Sequence, residues 1–535
     1  MPLAKSLAHT TWLHVLLVAA ASIGFESLFV HHSLNVLDEG WPLLAAMGLH
    51  EGGDLYREVF WVFPPGHVLS AWLAYGIDPP GVVLSRIFYA GFVVALCVSL
   101  YLLGRRLMPP PWALFGALLL SVAATSAHRY QLVFGYRYLV FAVLVLLAFA
   151  RRIDTGDVRW SGVAGLLAGV ALVFRLTPAF AVSLGFVLGV LALDRSWRSW
   201  LRDGFAYAIG LQIVVVPVVF WLGASVGLDV LWREIVVRPV VMTELQSLPM
   251  PSLEWLPRSW DERRSIMRWG AAWQFRLYLV LYAAYALALA ASWLRALRER
   301  EPFPHPLLLA FVVFGGVYFV RTLGRSDAAH LYSAIPPVCL LLAHGLHRVV
   351  ARARLGNTPA LAVAVACFGL WMLFMGGDRF LDAERRGQVP LASLDGRVGV
   401  NTPEYAAMID GLVESIRAHS RPGDRVLDMS ASPLVQVLAG RLGPGYSDLV
   451  MPGTFLDEQE ERAFIARLEA DPPAVVLWPE RPFDDMGVRR VQKTAPELSR
   501  WVRTRYREGP KAVQPGTRFP HRYTLLLPRA RGASP

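Results

Sequence analysis

Apolar runs of membrane-spanning length recur from near the N-terminus to about residue 376 and then stop. A helix needs about 20 apolar residues to cross a bilayer. Backbone in lipid must satisfy its own hydrogen bonds, which favours helices for such runs. The runs at 11–30, 82–103, 112–128, 133–150, 160–175, 178–193, 204–223, 272–294, 305–322, 331–347 and 359–376 predict about eleven transmembrane helices. Those at 160–175 and 178–193 are short. Composition agrees, with 55% hydrophobic and 17% charged residues, against about 25% charged in a soluble domain. A single soluble domain and a disordered chain are both excluded.

The net charge of +11 fits either a nucleic-acid binder or a membrane protein whose basic residues mark its cytoplasmic loops. Its distribution decides. Residues 1–376 hold 29 Lys+Arg against 20 Asp+Glu, whereas residues 377–535 hold 23 against 21. The soluble part is nearly neutral, so the basic balance gives no support for a nucleic-acid partner.

The apolar stretch Pro65 to Ile77, about 13 residues, is short for a span and suits an interfacial helix. With that stretch left out of the span count, the loops 1–10, 104–111, 151–159, 194–203, 295–304 and 348–358 fall on one side and carry 15 basic residues. Counting it as a span would move every later Arg-rich loop to the other side. The positive-inside rule therefore predicts a cytoplasmic N-terminus and an extracytoplasmic segment 377–535, in a multi-pass protein of the cell inner (cytoplasmic) membrane. The first run is read as a retained helix and not a cleaved signal peptide, because it is about 20 residues long and many spans follow.

Cys97, Cys339 and Cys367 all fall in predicted spans, so the outer segment has no disulfide framework or cysteine zinc site. Gly165 and Gly169 form a G-x-x-x-G pair that permits close helix approach. It is read as the ordinary glycine abundance of membrane helices. His31 and His32 are adjacent, and neighbouring residues point in different directions on a helix, which weakens a metal role. A divalent metal is left open.

The densest polar chemistry follows the first run: Asn35-Val36-Leu37-Asp38-Glu39-Gly40-Trp41, then Glu51-Gly52-Gly53-Asp54-Leu55-Tyr56-Arg57-Glu58, then Phe63-Pro64-Pro65-Gly66-His67. Adjacent carboxylates in a partly dry cleft repel each other, which raises the pKa of one. Such a group can act as general base toward a hydroxyl. An acidic pair is also the ordinary solvated start of a helix. The ordered set tips the balance: D-E-G-W, E-G-G-x-L-Y-R, P-P-G, a short apolar helix, and Arg86 near the outer end of the second span.

This set resembles the polytopic GT-C glycosyltransferases, in particular the bacterial branch related to protein O-mannosyltransferases and lipid A aminoarabinose transferases. The likeness covers roughly residues 8–350 and is strongest over 38–106. It implies an α-helical polytopic fold and a C-terminal extracytoplasmic α/β domain. The implied reaction moves a sugar from a polyprenyl-phosphate donor to an acceptor hydroxyl at the outer membrane face. Asp38 matches the family's essential acidic residue and Glu39 its partner. One position departs. The aminoarabinose transferases carry Lys before the Pro-Pro pair, in contact with donor phosphate, and here Phe63 stands there. His67 is a weak substitute.

A leaving polyprenyl phosphate gains negative charge, which arginine stabilises well. Candidates at outer span ends include Arg57, Arg86, Arg129, Arg137, Arg175, Arg276, Arg321 and Arg325, although most outward arginines simply snorkel. The best cluster is Arg321-Thr-Leu-Gly-Arg325-Ser-Asp327-Ala-Ala-His330-Leu-Tyr332, in a short outer loop where ionisable residues are functional candidates. Asp38 and Glu39 are thus the catalytic candidates. Arg57, His67, Arg86, Arg175, Arg321, Arg325, Asp327 and His330 are the substrate-binding ones. The loop 224–271 carries four Trp, with a surface helix expected over Asp229–Thr243.

Beyond residue 377 the pattern alternates. Helices are expected at Pro403–His419, Pro433–Gly440, Asp457–Ala470 and Ala495–Arg507, with strands at Arg425–Met429, Pro473–Trp478 and Arg522–Leu527, as in a small α/β domain. Val426-Leu427-Asp428 suggests a nucleotide-cofactor strand, but the following Ser430-Ala431-Ser432-Pro433 lacks the glycines such a turn needs.

The reading is therefore a membrane glycosyltransferase with a transmembrane part, 1–376, and an extracytoplasmic part, 377–535. Its partners are a lipid-phosphate sugar donor and a lipid, glycan or protein acceptor. The alternatives are a flippase for lipid-linked sugars, which would place polar groups near the bilayer midplane, and a non-catalytic assembly protein, which would not need the acidic pair.

Overall fold

The computed structural model describes residues 2–123, 136–194, 196–248, 263–325, 328–371, 389–513 and 522–529. The first half is helical: α1 (Pro2–Ser27), α2 (Gly40–His50), α3 (Gly66–Ile77), α4 (Val82–Leu107), α5 (Pro110–Ala123), α6 (Leu139–Thr155), α7 (Arg159–Phe174), α8 (Leu176–Leu193) and α9 (Trp197–Val226). After Gly227 come α10 (Leu228–Trp232), a π-helical turn (Arg233–Val237) and α11 (Arg238–Leu245). Then follow α12 (Arg263–Glu299), α13 (Pro306–Arg321), α14 (Ala328–Ser333), α15 (Ile335–Arg352) and α16 (Asn357–Trp371).

Each apolar run of the sequence meets a helix. Among the described residues, five helices are long and apolar enough to cross a membrane, in α4, α8, α9, α12 and α13, and four shorter apolar helices accompany them. The α4 helix shows the logic. Tyr89, Val93, Leu96, Cys97 and Leu100 form a buried stripe at helical spacing, while Ile87 and Leu102 face outward.

The glycines in α7 do more than expected. A Cβ at Gly165 would stand 1.9 Å from the Tyr207 carbonyl oxygen, and one at Gly210 would stand 2.0 Å from the Gly162 carbonyl oxygen. The reading of these glycines as mere abundance is corrected: they let α7 and α9 meet backbone to backbone.

The last part carries β1 (Val389–Pro390), β2 (Gly399–Val400), β3 (Val426–Asp428), β4 (Val475–Pro479), β5 (Tyr506–Val513) and β6 (Arg522–Pro528). Four of them form a sheet of order β3-β4-β6-β5, with β3 parallel to β4 and the other pairs antiparallel. The helices Pro403–Ala418, Pro433–Ala439 and Glu458–Ala470 stand where the sequence places them. Asp457 accepts from the Glu460 N–H at 2.9 Å, as an N-cap does. The helix Pro496–Arg505 ends two residues before the expected boundary, because Tyr506 turns the chain into β5, a strand the sequence reading did not contain.

This part is built around the loop that follows α1 and the helix α2. Leu43, Leu44 and Met47 of α2 share one apolar core with Ile409, Leu412 and Leu434. Backbone bonds stitch the two: Gly399 N–H to His31 O at 2.8 Å, Leu434 N–H to Val36 O at 3.0 Å and Tyr446 N–H to Glu58 O at 2.8 Å. A Cβ at Gly40 would collide with the Leu434 backbone nitrogen at 2.1 Å, so the glycine of D-E-G-W is required by this contact. Arg238, fully buried, bonds Glu234 at 2.6 Å and Glu460 at 3.1 Å and so ties α11 to the C-terminal part.

Candidate active site

The acidic pair sits in the turn that starts α2. Asn35 caps this turn: its side-chain oxygen accepts from the Asp38 N–H at 3.0 Å, and its amide donates to Asp38 Oδ2 at 2.8 Å. The Asn35 N–H donates to Glu39 Oε2 at 2.8 Å, so the arrangement is a variant of the reciprocal capping box. Two consecutive carboxylates are thereby aimed at different surroundings.

Glu39 turns inward. Arg86 donates to it through Nε at 2.6 Å and Nη2 at 2.9 Å, and neither side chain is exposed at all. The remaining Arg86 donors go to the carbonyls of Val30 at 2.8 Å and Ser33 at 2.6 Å. This corrects the sequence reading of Arg86. With a longer bond to the His32 carbonyl at 3.4 Å, Arg86 is committed to a carboxylate and three carbonyls, which leaves it no fork for a phosphate. Glu39 is enclosed by Arg86 and the Asn35 N–H.

Asp38 is 7% exposed and lies between Val36 and Trp41. Each of those two lines a cavity. The first cavity, of about 220 Å³, is lined by Trp41, Phe63, Arg175, Arg321, Arg325 and His330, with α11 closing one side through Met242, Thr243 and Gln246. Four of the residues singled out from the sequence thus converge from the α7–α8 junction, the end of α13 and α14. Asp327 lies outside the described residues.

Arg175 is buried, with its guanidinium 5.8 Å from the centre of the Phe63 ring. It feels the positive charges of Arg321 and Arg137. Like charges gathered in a poorly solvated space call for an anion. Arg137, outside the set of site residues drawn from the sequence, is the strongest omission. It is 1% exposed, lies over the Tyr138 ring at 4.4 Å, and its Nε and Nη1 meet no acceptor among the described residues. A buried cation in this state was signalled only by its place at an outer span end.

Arg325 is held differently. Its two Nη atoms donate to Asp484 at 3.0 and 2.7 Å, and Nη1 also to the Gln246 carbonyl at 3.1 Å. Arg489 binds the same carboxylate at 2.5 Å. The C-terminal part therefore reaches the rim of the cavity through Asp484, which no motif in the sequence marks.

Two other expectations change. His67 is fully buried among Phe63, Trp61 and Tyr138, at centroid distances of 5.2, 5.6 and 4.7 Å. It does not line the cavity, so it does not replace the missing lysine. Arg57 lies in a separate groove with Arg233 and Tyr446, its side chain half exposed and 4.0 Å from Asp54. Among the described residues no group of three or more His, Cys, Asp and Glu comes together to hold a metal. His31 instead bonds the Arg397 carbonyl at 2.9 Å.

A second cavity, of about 310 Å³, opens at the carboxyl ends of the parallel strands β3 and β4. Val36, Ser430, Ser432, Arg481, Asp484 and Tyr523 are among its walls. Asp484, through Arg325, connects it to the first cavity, and Val36 lies two residues before Asp38. Beneath it Asp428 is buried, which raises its pKa to about 6 against the opposing effect of bonds from Ser430 and Ser432. Burial raises Asp448 to about 6 in the same way, with a weak bond from the Phe60 N–H opposing.

The arrangement was compared with known proteins. ArnT from Cupriavidus metallidurans bound to undecaprenyl phosphate superposes with a TM-score of 0.56 at 15% identity, over 99% of this chain and 100% of that one. The chain has the GT-C fold. The apo oligosaccharyltransferase of Archaeoglobus fulgidus matches with a TM-score of 0.51 at 13% identity, over 93% of this chain and 73% of that one. AglB from the same organism, in complex with an inhibitory peptide and a dolichol-phosphate, gives 0.52 at 12% identity, over 94% and 73%. Residues 64–222 match the model of the dolichyl-phosphate-mannose-protein mannosyltransferase family. No curated protein matches in sequence. This GT-C chain is thus a multi-pass membrane protein whose matched segment begins at the Pro-Pro pair and includes Arg86, Arg137 and Arg175.

Proposed function

We propose that the chain is a glycosyltransferase that moves a sugar from a polyprenyl-phosphate donor to an acceptor hydroxyl at the extracytoplasmic face of the cytoplasmic membrane. The observation that carries this reading is the cavity in which Arg175, Arg321, Arg325 and His330 meet beside the Asp38 turn. Family and fold likeness support it: a solved neighbour holds undecaprenyl phosphate, and another holds dolichol-phosphate.

In this reading Asp38 accepts the proton of the acceptor hydroxyl as its oxygen attacks the anomeric carbon. The bond from that carbon to the phosphate oxygen breaks with inversion, and the polyprenyl phosphate leaves. Arg175 and Arg321, with Arg137 behind them, hold the charge that develops on the phosphate. Phe63, which stands where the family has lysine, supports the Arg175 guanidinium through its ring face, so the cation comes from α7–α8 and not from the Pro-Pro loop. The second cavity receives the acceptor, placed by the C-terminal part. The first outer loop and residues 389–528 work as one extracytoplasmic unit.

Asp38→Asn tests the reading. In membranes with unchanged protein level, transfer from a polyprenyl-phosphate sugar falls by about 10² to 10⁴-fold, the usual worth of a general base. Undiminished transfer would overturn it.

A further inference from the structure

A cavity larger than the two above, among the described residues, lies far from Asp38. It measures about 910 Å³ and is lined by Arg105, Arg106, Arg295, Arg348 and Arg352, with Asp154 the one carboxylate in its wall. Arg86 stands near the start of α4 and Arg105 near its end. Nineteen residues of helix separate them, about 29 Å at 1.5 Å per residue, close to the thickness of the bilayer core. The cavity is therefore at the opposite membrane face.

Its arginines come from α4, α12 and α15, three separate helices. Arginines at this face serve as topology signals, but that role needs only their number, not their convergence. Compensation here is sparse. Arg106 pairs with Asp154. Arg105 bonds Thr11, a neutral hydroxyl. Arg295, Arg348 and Arg352 have no ion-pair partner among the described residues. By contrast, Arg152 nearby is fully answered by Asp203 at 2.7 and 2.8 Å. Below the arginines the wall is mainly apolar, with Ala288, Leu289, Leu307 and Leu308 beside the hydrogen-bonded pair Tyr285–His344. A cationic mouth over an apolar wall matches a phosphate head on a hydrocarbon chain, and basic pockets between spans on the cytoplasmic side bind such heads.

We propose that this cavity is a second lipid site, which takes the phosphate group of an anionic membrane lipid. Arg295 and Arg348 grip the phosphate oxygens, and the α12–α13 wall holds the first methylenes. The lipid tail is part of the recognition, so free phosphate binds far more weakly. The site rests on the membrane-spanning architecture and not on the transfer reaction, so it stands or falls separately from it.

The test uses the full chain purified in detergent, with binding read by native mass spectrometry. Phosphatidylglycerol, a polyprenyl monophosphate, phosphatidylcholine and inorganic phosphate are the probes. Above phosphatidylcholine, phosphatidylglycerol is expected to be retained at one per chain, and the polyprenyl monophosphate at two, one here and one in the Arg175 cavity. Arg295→Gln with Arg348→Gln should weaken retention by about fivefold per charge removed, with sugar transfer unchanged. Arg295→Lys with Arg348→Lys keeps the topological charge and should fall between, because lysine lacks the planar fork. That second variant separates lost binding from faulty insertion. Equal retention by wild type and both variants, equal retention of phosphatidylcholine, or equal competition by inorganic phosphate would each overturn the proposal.

Discussion

Arg86–Glu39 and Arg325–Asp484 are both two-pronged arginine–carboxylate pairs with closest contacts of 2.6 and 2.7 Å. They sit in different regions around the Asp38 turn. The first is at the floor, where α4 meets the first outer loop, and neither side chain is exposed. The second is at the roof, where the loop after α13 meets the C-terminal part, and both side chains are about one-fifth exposed at 20% and 19%. Equal geometry does not mean equal consequence. At the floor the alternative to the pair is an uncompensated charge in a dry interior. At the roof the alternative is water. The floor pair therefore fixes where Asp38 stands, while the roof pair can open.

The sharpest way to break this comparison is to remove one partner at the floor. Arg86→Ala strands Glu39 and three backbone carbonyls that Arg86 caps. Removing one member of a buried pair costs about 3–5 kcal/mol. Thermal unfolding of the purified protein should show a large loss of stability, or the protein should fail to accumulate. A variant with normal stability and lost transfer would instead make Arg86 a substrate ligand and undo the contrast.

Asp448 supplies the third case, a buried carboxylate with no arginine ion pair among the described residues, though it feels the charge of Arg425. Its folded pKa is pushed up to about 6 by burial, against about 3.9 in an unfolded chain. Between those values the folded state holds more protons than the unfolded one, so stability falls as pH rises. The contribution is complete below about pH 4 and is lost as pH passes through 6. From pH 5 to pH 7 the loss is about 1 kcal/mol for this group. Other groups titrate in the same window, so the measurement is the difference in unfolding temperature between wild type and Asp448→Asn at the two pH values. The variant should gain on wild type at pH 7 relative to pH 5. An unchanged difference would mean Asp448 is ionised at both.

Much of this was legible in the sequence, for identifiable reasons. Hydrocarbon length gave the helices, because α4, α9 and α13 must be apolar over a fixed distance whatever they pack against. Caps gave Asp457, because its partner is three residues away. What the sequence hid was long-range pairing. Nothing near Glu39 marks it as the partner of Arg86, 47 positions on, so its adjacency to Asp38 was taken for shared chemistry. The local clue was present in Asn35, three before Asp38 and four before Glu39, which separates the two carboxylates. Asp484 was invisible because an acidic residue in an outer loop has no distinguishing pattern. β5 was hidden because its residues, Tyr-Arg-Glu-Gly-Pro-Lys-Ala-Val, lack strand alternation and gain their strand only from pairing with β6.

The smallest expected effect is at the roof, and it bears on function more than on stability. Arg325 and Asp484 keep some contact with water, and partly exposed pairs contribute roughly 1 kcal/mol or less. Arg325→Ala and Asp484→Asn should each leave the unfolding temperature within a few degrees. Their consequence is for how the C-terminal part is held over the cavity. Asp484 is shared between Arg325 and Arg489, and it lines the second cavity while holding Arg325 of the first. Loosening it should raise the KM for acceptor while leaving kcat nearly as it was, since Asp38 and the inner arginines stay in place. The double variant separates a clamp from two independent ligands. If the residues act only through each other, the double variant loses no more than either single one. If their effects multiply, each touches substrate on its own account, and the roof is then a binding surface of the same standing as the cavity wall below it.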